Sequence, residues 1–170
     1  GTYNLYEGSY MASLESLVRK KFFIQQGSTI TWSGDLTDAE LNITAIYTVR
    51  TSPIDLISNQ TAGMSEADQN SYRMRIPFNV ILQLKGLLLK PEIQFEIQLP
   101  PSEKGVLGGA VNSQLTILNE DESELNKQVF ALLVLGRFIQ QNPLESESGG
   151  VSTAARTSVS KFLTQQLNLY

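Results

Sequence analysis

The sequence predicts a mainly β domain with C-terminal α-helices: a curved, elongated amphipathic sheet, taco-like groove or open barrel, with two helices near the chain end. Two stretches, 39–50 and 73–85, alternate apolar and polar residues with a period of two. Each holds that alternation for about twice the usual 5–6 residues of a strand, or about 40 Å at about 3.3 Å per residue. A shorter alternating run follows at 92–99, and from 119 the apolar spacing becomes helical. Strands of that length suit an extended, curved sheet better than a small compact barrel. The expected division is an amphipathic sheet over 1–118, with a mobile loop at 51–72, and a helical segment over 119–170 packed on it. The length allows one domain with a core of its own or the end piece of something longer.

The elements follow from local patterns. In "YNLYEGSYMASLESLVRKKFFIQ", Tyr3 and Leu5, then Tyr10 and Ala12, keep the period of two. Leu14, Leu17 and Val18 have helical spacing, which leaves strand and helix both open over 10–22. From Ser28, Ile30 and Trp32 face one way and Thr29, Thr31 and Ser33 the other. "SGDLTD" is turn chemistry, and Ala39, Leu41, Ile43, Ala45, Tyr47 and Val49 then alternate with polar residues; only Ile46 breaks the pattern. The run 51–72 has no periodicity and reads as a structureless loop.

Alternation returns with Met74, Ile76, Phe78, Val80, Leu82 and Leu84 on one face, and again with Ile93, Phe95, Ile97 and Leu99. Pro77 and Pro91 lack the ladder N–H, which assigns them to edges or bulges. "PPSEKGVLGGAVNSQ" reads as a loop rich in Pro, Gly and Ser. Asn119 has the place of an N-cap and Glu122 that of a capping box, opening a helix of about 20 residues. Leu125, Val129, Leu132, Leu133, Gly136 and Ile139 form one stripe of it, and Phe130, Val134 and Phe138 a second ridge. "NPLESESGG" ends that helix, and 152–170 read as a second one with Val159, Phe162, Leu163, Leu167 and Tyr170 on its apolar face.

Composition removes several functions. The net charge of −4 disfavours nucleic acid, and Arg19-Lys20-Lys21 is too short a basic cluster to reverse it. Without cysteine there is no disulfide, thiolate zinc site or thiol nucleophile; without histidine the Ser-His-Asp arrangement and the commonest general base are gone. Two carboxylates alone remain available for hydrolysis. No window of 18 apolar residues could span a bilayer as a helix. The Gly1 start predicts an excised or processed chain.

The run "KKFFIQQGSTITWSGDLTDAELNITAIYTV" resembles the C-terminal domain of TamB, the translocation and assembly module subunit, in its Bacteroidetes form. The likeness rests on Lys21, Phe22, Ile24, Gly27, Ser28, Thr29, Ile30, Trp32, Gly34, Asp35, Ala39, Leu41, Ile43, Ala45 and Tyr47. The segment "KQVFALLVLGRF" and the Ser/Gln-rich end are similar too, so the resemblance spans most of the chain. Leu36 stands where the family often has proline. The resemblance implies an AsmA-like protein of outer-membrane biogenesis, anchored in the inner membrane, crossing the periplasm and reaching the outer membrane. It implies an Omp85-type (TamA-like) outer-membrane barrel as partner. Phospholipid or nascent outer-membrane protein strands would be the cargo of a hydrophobic β-groove. No enzymatic activity, cofactor or metal is implied.

Two features carry competing readings. Asp35, Asp38 and Glu40 beside Trp32 are read as a hairpin turn in water rather than a calcium or magnesium site, for which EF-hand spacing is missing, or a catalytic pair. The apolar faces either close into a core or leave a groove for acyl chains, and the same residues serve both. The groove candidates are Ile30, Trp32, Leu41, Ile43, Ala45, Tyr47, Phe78, Val80, Leu82, Leu84, Phe95, Ile97 and Leu99. Phe130, Val134 and Phe138 are candidates for a lid over the groove or a surface for the barrel partner, although a buried helix explains them as well. The terminal helix reads as a packed terminus, having little Lys or Arg on its polar face. An unclosed sheet would invite pairing at its edge by a barrel strand, a client strand or a second copy, giving an edge-strand homodimer.

Overall fold

The computed structural model describes residues 1–14 and 18–140. Seven strands form one antiparallel sheet: β1 (Thr2–Leu5), β2 (Ser9–Leu14), β3 (Val18–Ile24), β4 (Ser28–Thr31), β5 (Glu40–Thr51), β6 (Ile76–Leu87) and β7 (Lys90–Gln98). Among the described residues three α-helices accompany it: α1 (Glu66–Tyr72), α2 (Ala110–Glu120) and α3 (Glu122–Val134). The mainly β class, the open sheet and the helices toward the C-terminus agree with the expectation.

β5 is the spine. On one side it pairs with β6 along its whole length, from Glu40 opposite Leu87 to Thr51 opposite Ile76. Its other side is shared end to end by β4, through Asn42 opposite Thr29, and by β3, through Ile46 opposite Phe23. β1 lies outside β4, β2 outside β3, and β7 outside β6, so the sheet stays unclosed. Between β3 and β4 the Ser28 hydroxyl joins the ladder, accepting from the Thr44 N–H at 3.1 Å and donating to the Gln25 carbonyl at 2.8 Å.

Over 10–14 and 18–22 the open question resolves to strands; Leu17 lies outside the described residues. Leu14 and Val18 are register partners, so their helix-like spacing is that of a closing hairpin. Ile46, the one break in the β5 pattern, stands between Phe23 and Ile81 in a single apolar row on the outer face. Pro91 sits on the edge strand β7, and Pro77 lies on β6 beyond the stretch that β7 covers.

Three element assignments are corrected. The run 51–72 is not structureless: it holds a 3₁₀ turn at Ser58–Gln60 and the helix α1, capped by Ser65 accepting from the Asp68 N–H at 3.1 Å. No side chain of α1 is buried, so no apolar stripe marked it in the sequence. The segment 100–114 is loop only as far as Gly109, where the chain passes through left-handed conformations at Leu107, Gly108 and Gly109 before α2 begins. The helix expected from Asn119 starts two residues later, and a separate helix, α2, precedes it. Asp121, extended at φ −105° and ψ 96°, ends α2 and caps α3 by accepting from the Glu124 N–H at 3.2 Å. Asn119 belongs to the last turn of α2, and α3 stops at Val134, so Phe138 and Ile139 follow the helix rather than ride on it. The expected breaker and second helix over 142–170 lie outside the described residues.

Candidate functional site

Register places the alternating residues of β5, β6 and β7 in cross-strand rows on one face. Val49 stands beside Phe78; the next row is Tyr47, Val80 and Ile97; then Ala45, Leu82 and Phe95; then Ile43, Leu84 and Ile93. Leu41 follows beside Gly86, and β4 extends that row with Ile30. The sheet therefore carries one continuous apolar stripe, as alternation requires.

The helices cover part of it. α3 packs against β7 and also reaches β3, while α2 packs against β7 and α3. Its 13 residues make a rod of about 20 Å at about 1.5 Å per residue, longer than the three strand spacings, about 14 Å, from β7 to β3. Leu125, Val129, Leu132 and Leu133 of α3 and Val111, Leu115 and Leu118 of α2 join Phe78, Val80, Leu82, Ile97 and Leu99 in one buried cluster. Phe138, past the helix end, is buried with its ring edge-on to Phe78 at a centroid distance of 4.8 Å.

Among the described residues this cluster takes in Ala45 and Leu82, with Tyr47, Phe95 and Ile93 partly buried against it. Ile30, Trp32, Leu41, Ile43 and Leu84 lie outside it, and of these all but Leu41 are partly exposed. Of the lid candidates, Phe138 is in the core, whereas Phe130 and Val134 are half-buried on α3. A cleft of about 320 Å³ opens between β7, α2 and α3, with Ile93, Phe95 and Leu125 among mainly polar walls that include Asn119, Glu120 and Glu122. The arrangement is an apolar sheet face with helices packed over one part and a partly exposed remainder.

A family model described as the TamB C-terminal domain matches residues 1–169. The chain belongs to the TamB C-terminal domain family. Comparison with curated proteins and with solved structures found no match. Among the described residues of this TamB domain, no helix is long and apolar enough to cross a membrane.

The carboxylates beside Trp32 stand apart from the apolar face of the TamB domain. Asp35 accepts from the Thr37 N–H at 3.1 Å and caps the 3₁₀ turn Leu36–Asp38, and Asp35, Asp38 and Glu40 are all exposed. No group of three or more Asp or Glu side chains among the described residues is arranged to hold a metal ion. The trio is a solvated turn.

Sequence reasoning missed two amide side chains that hold the TamB domain's plug. Asn119 accepts from the Ile97 N–H at 3.0 Å and donates to the Ile97 carbonyl at 2.9 Å. Gln128, fully buried, accepts from the Ile139 N–H at 3.0 Å and donates to its carbonyl at 2.7 Å. Each primary amide offers one acceptor and one donor to the two backbone groups of a single residue, as a neighbouring strand would. Asn119 thereby occupies the open edge of β7 at Ile97. No sequence pattern announces this, because the partners are 22 residues apart.

Proposed function

We propose that this chain is the non-enzymatic, periplasmic C-terminal piece of a TamB-like bridge between the two membranes. In this reading the uncovered apolar face is the end of a groove. Acyl chains of phospholipid, or nascent outer-membrane protein strands, rest on Ile43 and Leu84, with Ile30 and Trp32 beside them. α2 and α3 close that groove over Phe78, Val80 and Ile97. The longer protein is anchored in the inner membrane, and this end meets an Omp85-type outer-membrane barrel. Transport is passive: each buried CH₂ contributes about 0.8 kcal/mol, so a sliding chain exchanges one apolar contact for the next.

The observation that supports this reading is the boundary of the core, which leaves Ile43 and Leu84 outside while their stripe runs on from Ala45 and Leu82. A second reading is a closed-core module that docks the barrel and carries no lipid. It draws on Phe78, Val80, Ile97 and Leu99, all buried under the helices. On either reading the unpaired side of β7 is where a barrel strand, a client strand or a second copy adds, short of the position that Asn119 fills.

Photocrosslinking from Leu84 and from Val80 in cells, with native mass spectrometry of the purified chain, separates the two. Phospholipid or client adducts at Leu84 but not at Val80 are expected for a plugged groove. Adducts confined to the protein itself at both positions would leave only the docking module.

A further inference from the structure

The β6–β7 hairpin closes in a two-residue turn, Leu88-Leu89, between the register partners Leu87 and Lys90. Such turns normally take Asn, Asp or Gly, whose preference comes from positive φ and from side-chain bonds to the backbone. Here neither leucine has positive φ, and neither is buried. Leu87, Leu88 and Leu89 are 56%, 46% and 72% exposed, so turn chemistry and core packing both leave them unexplained. The Leu88 N–H donates to the Ala39 carbonyl at 2.8 Å, which sets the tip beside the preceding turn, where Leu36 is 72% exposed.

The same end of the sheet carries an aromatic pair. Thr31 lies opposite both Glu40 and Thr2, so the ends of β4 and β1 that bear Trp32 and Tyr3 adjoin the tip's end of the sheet. The two rings meet edge-on at 6.0 Å, and Tyr3 is largely exposed. Lys85 and Lys90 flank the three leucines, and neither ammonium is within 4.0 Å of a carboxylate among the described residues. Exposed leucines at the hairpin end, an aromatic pair behind them and two lysines without an ion pair, Lys85 opposite Glu92 in register, match the layers of a bilayer surface: acyl region, interface and phosphate.

We propose that the Leu87–Leu88–Leu89 tip, with Leu36, inserts into the surface of a phospholipid bilayer and anchors this end of the sheet there. Asp35, Asp38, Glu40 and Glu92 share that end with the lysines. Insertion is therefore driven by the leucines, with Lys85 and Lys90 meeting phosphates, and it persists at high salt.

The chain has no cysteine, so a single Leu89→Cys carries an environment-sensitive fluorophore cleanly, with Ile117→Cys on the exposed face of α2 as the comparison. With vesicles of phosphatidylethanolamine and phosphatidylglycerol, a blue shift is expected at position 89 and none at 117. The Leu88→Ser/Leu89→Ser variant, which removes only exposed side chains, should partition about 100-fold less, or roughly 10-fold per leucine. Its circular dichroism should match the parent. An aqueous spectrum at 89 with vesicles present, an equal shift at both positions, or undiminished flotation of the double variant would each overturn the proposal.

Discussion

At the scale of single residues, the side chains that organise this domain are polar groups doing a backbone's job. Asn119 and Gln128 each satisfy both polar groups of one residue, Ile97 and Ile139. Both were invisible in the sequence, where Asn119 reads as a helix cap, because local pattern cannot reveal bonds to residues 22 and 11 positions away. Removing Asn119 leaves a strand N–H and C=O without their partner. Asn119→Ala should therefore cost about 1–3 kcal/mol in urea unfolding. Because it also frees the β7 edge at Ile97, the variant should self-associate more than the parent in size-exclusion chromatography. Unchanged stability together with unchanged size would show that water replaces the amide without loss. The reverse case is Ile46, which looks like an error in the strand alternation. Its place between Phe23 and Ile81 on the outer face gives it apolar neighbours that only the register discloses.

At the scale of elements, strands were legible and helices only partly so. β5, β6 and β7 follow from the period of two, since one face of each is apolar and the other polar along nearly its whole length. α2 was hidden because its first turn lies in a Pro-, Gly- and Ser-rich run that reads as loop, and one extended residue, Asp121, ends it and caps the next helix. α1 was hidden for another reason: an exposed seven-residue helix has no stripe to read. Whether the apolar face is covered could not be read either, since a core and a groove ask for the same residues on the same strands. In the structure α3 lies over one part, and Ile43 and Leu84 remain partly exposed. Val129 is wholly buried on the sheet-facing side of α3, so Val129→Asp puts a charge into the plug. Unseating α3 should uncover Phe78, Val80 and Ile97, giving a several-fold rise in the fluorescence of a hydrophobic dye while far-ultraviolet signals of the sheet persist. A dye response equal to the parent's would mean that the helix stays docked despite the charge.

At the scale of the whole molecule, the strand order was not legible, because pairing of distant strands leaves no mark on local pattern. β5, β6 and β7 form a meander of sequence neighbours, whereas β1 finds its partner in β4, on the far side of the β2–β3 hairpin. β1 has four residues, none buried, and pairs on one side only. Its amides should be the first of the sheet to exchange with deuterium, and those shared by β5 and β6 the last, as mass spectrometry of peptides would report. Equal protection in β1 and β6 would mean that the sheet opens only as a unit. The same topology orders events during biosynthesis. The strand that emerges first cannot be matched until the chain has passed through a hairpin and come back, and β4 in turn leans on β5. The leading end of this domain thus spends the longest time unpartnered while the chain is being made.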